Sequence, residues 1–217
     1  MEPLALDDVV IRSTSVSDME NNVYLITART SGEQVIIDAA DDLPAIRDLV
    51  AAGAEDSEHG TRVTTVLTTH RHWDHVRALR ETAAEHDART VAGENDADAI
   101  EEESGARIDE RVAHGSALEF DGFRLEAIEL RGHTPGSIAY VLADAGGQTV
   151  IFSGDSLFPG GPGKTWSPED FVSLMDDLEE RIFGRFGDEV RVLPGHGDTT
   201  TLGAERPQLS EWRERGW

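Results

Sequence analysis

Along the first third of the chain, apolar positions gather in short runs rich in β-branched residues. VVIRSTSV, VYLITA and QVIID, beginning at Val9 and running through Ile37, are separated by polar breaks such as TSGE and predict consecutive strands. The segment Leu43 to Ala52, LPAIRDLVAA, carries helical spacing, and Gly53 stands where a left-handed stop is expected. A β-rich run from Arg62 to Leu67 leads into TTHRHWDH, and VRALRETAAEH after it is again helical, so this polar cluster occupies a strand-to-helix loop. Between Thr90 and Val112 a helical stretch around DADAIEEE precedes a short strand, and FRLEAIEL, SIAYVLAD and QTVIFSGD predict three more. SPEDFVSLMDDLEERIF is a helix capped by Ser167, with Pro168 at its first position and Asp170 in its first turn; VRVL is a last buried strand before GHGD. Strands in two batches with helices after each suit an α/β fold of two packed sheets with helices outside, an αββα sandwich.

Chemistry concentrates where these strands end. Five of the eight histidines lie in HRHWDH at 70 to 75, GHTPG at 132 to 136 and PGHGD at 194 to 198, and SGDSLF adds Asp155 after the strand TVIF. All four loops can meet at one edge of the sheets. In an extended loop His70, His72 and Asp74 project to one side and His75 points differently, so one loop addresses two metal ions. Imidazole and carboxylate both suit zinc. Glycines beside His133 and His196 let the backbone approach closely and take positive φ. His59, His86 and His114 match no such pattern and read as ordinary histidines, and Trp73 reads as a packing residue beneath the loop.

TTHRHWDH, GHTPGS, FSGDSLF and LPGHGDTTT in this order resemble the metallo-β-lactamase superfamily, over nearly the whole chain. The resemblance implies an αββα sandwich of two mixed sheets and a two-metal site, with His70, His72 and His133 binding one ion, Asp74, His75 and His196 the other, and Asp155 bridging. It implies two Zn²⁺ per chain, with Fe or Mn as alternatives, a metal-bridging hydroxide as nucleophile, and Asp74 as the catalytic residue that orients it. Asp155 and the absence of cysteine set the chain apart from β-lactamases with a thiolate ligand. Trp73, SLFPGG and GHGDTTTLGAERPQ resemble the short glyoxalase II-like (hydroxyacylglutathione hydrolase-like) branch, implying hydrolysis of acyl thioesters of a low-molecular-weight thiol. Arg71 departs from that pattern, standing where a third consecutive histidine is frequent. The alternatives are a mononuclear iron persulfide dioxygenase, or a metallo-hydrolase of lactones or phosphodiesters. Arg71, Phe158, Lys164 and Trp166 are the candidate substrate contacts, Lys164 being the sole lysine, in the loop GGPGKTW.

Composition narrows the partners. The 217 residues suit one domain spanning 1–217, without the C-terminal helical domain with which long glyoxalase II enzymes grip their substrate. With 43 acidic against 19 basic residues the formal charge is −24, which repels nucleic acid and anionic membranes. The absence of cysteine excludes disulfides, thiolate ligands and Fe–S clusters. The amino terminus lacks a signal-peptide pattern and no long apolar run follows, so the expectation is a cytoplasmic enzyme, monomer or homodimer, with a small-molecule substrate.

Overall fold

A computed structural model describes residues 2–216. The first sheet holds β1 (Leu4–Ala5), β2 (Val9–Val16), β3 (Asn21–Ala28), β4 (Glu33–Ile37), β5 (Arg62–Thr68), β6 (Arg89–Gly93) and β7 (Glu110–Val112), hydrogen-bonded in that order. Its early strands pair antiparallel, whereas β4 through β7 run parallel. Four strands of the second sheet follow, β8 (Ala117–Phe120), β9 (Phe123–Glu129), β10 (Ile138–Ala143) and β11 (Thr149–Gly154). After them come a two-stranded hairpin, β12 (Leu157–Phe158) with β13 (Gly161–Pro162), and the remaining strands of the second sheet, β14 (Arg191–Pro194) and β15 (Thr200–Thr201). The second sheet is ordered β15-β14-β11-β10-β9-β8, with only the β11–β14 pairing parallel.

The continuous apolar runs follow from burial of both faces of each sheet. Successive residues of one strand enter different cores. Ile26, Ile37 and Leu67 join Tyr140, Phe152 and Leu193 between the sheets. Their chain neighbours Leu25, Ile36 and Val66 face outward, with Ile46, Leu49, Leu79 and Ile100 from helices α1 (Leu43–Ala52), α2 (Leu79–His86) and α3 (Ala97–Ser104). On the far side Ile151, Val141 and Val192 pack against Phe171, Leu174, Leu202 and Trp212 from α4 (Pro168–Asp177), α5 (Leu202–Glu205) and α6 (Leu209–Arg215). The order of layers is the predicted αββα sandwich, and both sheets are mixed.

Three local expectations need correction. Gly53 is not a left-handed stop: its φ of −66° is right-handed, and the chain runs on into a 3₁₀ turn, Gly53–Asp56. Packing favours glycine there, since a Cβ would lie 2.5 Å from Leu25 Cδ2 and 2.6 Å from Gln34 Nε2 and would push these buried side-chain ends aside. The long C-terminal helical segment is α-helical only to Asp177 and continues as a π-helical turn, Leu178–Phe183. Its start matches the sequence, the Ser167 hydroxyl accepting from Asp170 N at 3.1 Å. The third is one of omission: β1, β6, β8, the β12–β13 hairpin, β15, α5 and α6 were not read from the pattern.

Candidate metal centre

The loops that follow β5, β9, β11 and β14 open on one edge, where the carboxyl ends of β5, β11 and β14 point. The two sheets are stitched together there. Ile138 N donates to Thr69 O at 2.8 Å, Tyr140 Oη to Thr68 O at 3.0 Å and Tyr24 Oη to Pro194 O at 2.7 Å. Gly195 N donates to Gly154 O at 2.9 Å, and a Cβ on Gly195 would collide with the carboxylate of Asp155. That position admits glycine alone because it sits against a donor atom.

All seven side chains expected from the sequence converge at this edge. One potential ligand atom from each of His70, His72 and His133 lies within 4.8 Å of the others, and the same holds for Asp74, His75 and His196. A third such group, His70, His75 and Asp155, links the first two. Asp155 reaches both sides: its Oδ2 is 3.6 Å from His133 Nε2 and 3.4 Å from His196 Nε2, and its Oδ1 is 3.5 Å from His75 Nε2. The local path differs from the expected extended loop. Trp73–His75 forms a 3₁₀ turn, which brings Asp74 and His75 to the same group instead of separating them.

Second partners fix which nitrogen faces inward for four of the five rings, His72 alone turning its Nδ1 toward His70. His133 Nδ1 donates to Lys164 O at 2.7 Å, and His196 Nδ1 to Met19 O at 2.8 Å. His75 Nδ1 lies 3.0 Å from the Asp38 carboxylate, and His70 Nδ1 lies 3.0 Å from Thr69 Oγ1, whose own proton goes to Asp38 at 2.7 Å. The Nε2 lone pairs therefore point inward, those of His75 and His196 only 3.1 Å apart. Two unprotonated nitrogens so placed repel, so either a proton, as on His196 in the metal-free protein, or a metal cation must lie between them. His133 Nε2 and Asp155 Oδ1 are buried without any hydrogen-bond partner, as expected of donors shaped for a metal. The residues present fit an ion of the kind that imidazole and carboxylate bind.

Electrostatics divide the cluster in two. Burial, reinforced by the neighbouring imidazoles, pushes His70 well down and His72 down to about 4, and burial also lowers His133. These three stay neutral. Burial opposes a positive charge on His75 and His196 as well, but Asp155 and Asp38 raise the first, and hydrogen bonds to Asp155 and Asp74 carry the second up to about 10. Against their own burial, Asp74 and Asp155 are held below the usual carboxylate range, chiefly by His196 and His75.

Several supporting residues escaped the sequence. Asn21 Nδ2 donates to Asp74 Oδ2 at 2.9 Å from the start of β3, and Asp38 and Asp96 are buried carboxylates that touch the ligand loops. Only Asp38 left a cheap signal, an acid directly after the buried run QVII. Trp73 is 47% exposed under the guanidinium of Arg77, so it borders the mouth and does not pack beneath the loop. Arg71 and Trp166 border two clefts: one of about 500 Å³ holding His133, the other of about 570 Å³ holding His72 and Trp73. Lys164 Nζ lies 4.4 Å from the centre of the Trp166 ring, whereas Phe158 lies on the opposite flank, 6.4 Å from His196.

A family model of the metallo-beta-lactamase superfamily matches residues 17–200, a span that includes all seven donors. The chain belongs to the metallo-beta-lactamase superfamily. Within it, the chain is 33% identical over 182 residues to a hydroxyacylglutathione hydrolase-like protein of Mus musculus, covering 83% of this chain and 59% of that protein. It is 31% identical over 157 residues to the hydroxyacylglutathione hydrolase GloC of Haemophilus influenzae, covering 65% of this chain and 72% of that protein. A solved structure, that of TTHA1623 in a di-iron-bound form, superimposes with a TM-score of 0.69 at 26% identity, covering 90% of this chain and 96% of that one. No helix of the described residues is long and apolar enough to cross a membrane.

Proposed function

We propose that the chain is a two-metal hydrolase that cleaves acyl thioesters of a small thiol. The observation that carries this is the position of Asp155 between two adjoining donor groups, with His133 on one side and His75 and His196 on the other. His70, His72 and His133 would hold one ion, and Asp74, His75 and His196 the second, zinc being suited to both. Two ions so held would supply an acidified water as nucleophile and a positive field for the developing oxyanion. Asp74, kept ionised by its neighbours and tethered by Asn21, accepts hydrogen bonds at any working pH and is a poor proton store. Its role is to orient the attacking water.

The thioester reading is supported by the names of the relatives and by the mouth of the site. Arg71 and Lys164 put cations beside the exposed Trp166, suited to an anionic carrier thiol, although Glu102 and Glu103 line the same cleft as Arg71. Phe158 and Trp166 give apolar surface on opposite flanks of the donors, enough to seat an acyl group and its carrier. Residues 2–216 serve as one catalytic domain in this reading, the mouth being built from the metal loops and the segment after β11.

The deciding experiment measures metal content of the purified chain and hydrolysis of S-lactoyl and S-formyl conjugates of several carrier thiols, with His72→Ala alongside. Two equivalents of metal, and thioester cleavage lost in the variant, are expected. Cleavage indifferent to His72→Ala, or none with any conjugate, refutes it. Oxygen uptake with a thiol persulfide would select the dioxygenase alternative.

A further inference from the structure

We infer that Asp96 is a positioning residue that clamps together the two loops bearing His70, His72 and His133, and so sets the geometry of one metal site and not the other. The inference rests on the ligand assignment proposed above. Asp96 precedes α3, where an aspartate ordinarily caps the helix. Its side chain makes no capping bond. Both carboxylate oxygens turn the other way, into the junction between the sheets.

Oδ2 accepts from Arg71 N at 3.1 Å, the amide between His70 and His72, and from the hydroxyl of Thr134, next to His133, at 2.5 Å. Oδ1 accepts from Gly136 N at 2.9 Å and lies 3.9 Å from Arg71 Nε. The loop with His70 and His72 follows β5 of the first sheet, and the loop with His133 joins β9 to β10 of the second. One carboxylate thus spans both sheets while touching none of the three histidines. The approach is close enough to require glycine: a Cβ on Gly136 would lie 2.5 Å from Asp96 N.

Asp96 itself is fully buried. A desolvated carboxylate is costly unless its hydrogen bonds are made, so these contacts hold each loop firmly. Donors on Asp74, His75 and His196 are braced elsewhere, by Asn21, Asp38 and Met19 O. Loss of Asp96 therefore loosens the His133 loop against the loop of His70 and His72, which the Ile138 N–Thr69 O bond still ties at its base, and leaves the braces of the second group in place. The same carboxylate holds Arg71 at the wall shared by the two clefts.

The test uses full-length protein stripped of metal and titrated with zinc against a chromophoric chelator. Asp96→Ala is placed in a His196→Ala background, which isolates the three-histidine group, and in a His72→Ala background, which isolates the other. Zinc affinity is expected to fall about 10- to 100-fold in the first background and less than about threefold in the second, the range for loss of an outer-sphere partner. Equal losses in both backgrounds, or none in the first, overturn the proposal. Should Asp96→Ala fail to fold, Thr134→Val leaves the Asp96 carboxylate in place and removes only the hydroxyl that meets it, together with that hydroxyl's bond to Ser137 Oγ, and must show the same selectivity in weaker form. Amide exchange of the metal-free parent supplies a second readout: Arg71 and Gly136 lose protection in the variant while Asn22 does not, and unchanged protection overturns the clamp. A parent chain that binds two zinc ions with unselective losses fails this inference alone, whereas one that binds none fails the ligand assignment beneath it.

Discussion

Asp38→Asn is the substitution with the most to reveal, because it changes one atom and reverses two chains of hydrogen bonds. Asp38 is buried at a φ of +56°, a conformation that asparagine tolerates as well as aspartate, so the backbone is not disturbed. Its Oδ1 accepts from Thr69 N at 2.7 Å, while Oδ2 accepts from Thr69 Oγ1 at 2.7 Å and faces His75 Nδ1 at 3.0 Å. An amide has one acceptor and one donor end. The Thr69 amide cannot become an acceptor, so the asparagine oxygen must stay with it and the NH₂ must face both Thr69 Oγ1 and His75. His75 then has to offer an unprotonated Nδ1 and carry its proton on Nε2, the nitrogen 3.5 Å from both Asp74 and Asp155. Thr69 Oγ1 likewise turns its hydrogen toward His70 Nδ1, 3.0 Å away, and moves the His70 proton to the inward nitrogen.

One substitution thus blocks a ligand in each half of the centre. A hydrogen bond to a charged group contributes about 1.5–3 kcal/mol. Outer-sphere partners of metal ligands are worth about 10- to 100-fold in affinity, which at about 1.4 kcal/mol per decade is the same size. We expect zinc affinity to fall by about 10- to 100-fold at each site in chelator competition. In nitrogen-15 NMR of the metal-free protein, His70 and His75 should change from the Nδ1–H to the Nε2–H tautomer. Affinity within twofold of the parent, or tautomers unchanged, would refute the hydrogen-bond assignment.

Two further outcomes follow from the same centre. At a free metal concentration about 1,000 times Kd, binding stabilises the fold by about 4.1 kcal/mol, which for a chain of this length corresponds to about 8–16 °C in melting temperature; chelation producing a shift under about 2 °C would speak against a filled site. In the metal-free protein His196 is raised from 6.5 to about 10 by Asp155 and Asp74 against its burial, so its bound proton stabilises the fold below about pH 6.5 and that contribution fades as pH rises toward 10. Denaturant titrations of metal-free parent and His196→Ala should converge over that window, and a difference independent of pH would rule out the assignment.

The seven candidate donors were legible because each stands in a short polar segment directly after a run of buried, largely apolar residues, so local spacing alone exposes them. Strand positions were legible for the same reason: Ile36 and Ile37, or Val66 and Leu67, face different cores and leave an unbroken apolar run. Residues that act across the fold left no comparable mark. Asn21 meets Asp74 from 53 positions away, and Asp96 meets Gly136 from 40. Met19 contributes only a carbonyl oxygen, which no side-chain pattern encodes. The exposure of Trp73 was hidden too, since a large apolar residue inside a motif gives no sign of whether its loop coils into a 3₁₀ turn.

Asp38 and Asp96 share a logic that explains why so polar a cluster can exist in a folded chain. Each spends its carboxylate largely on backbone amides and hydroxyls of the ligand loops, Thr69 for one and Arg71, Thr134 and Gly136 for the other. Neither belongs to the seven-donor set. The cost of fixing the loops is therefore met while the sheets assemble, by bonds that do not depend on an ion. Facing nitrogens at 3.1 Å, in both the His70–His72 and His75–His196 pairs, are what that assembly leaves behind. A cation entering such an array has little chain to order, so its binding energy is retained as affinity instead of being spent on folding the loops. Fold and centre are in this sense one construction, with the hydrophobic layers setting the strand ends and two buried carboxylates locking what grows from them.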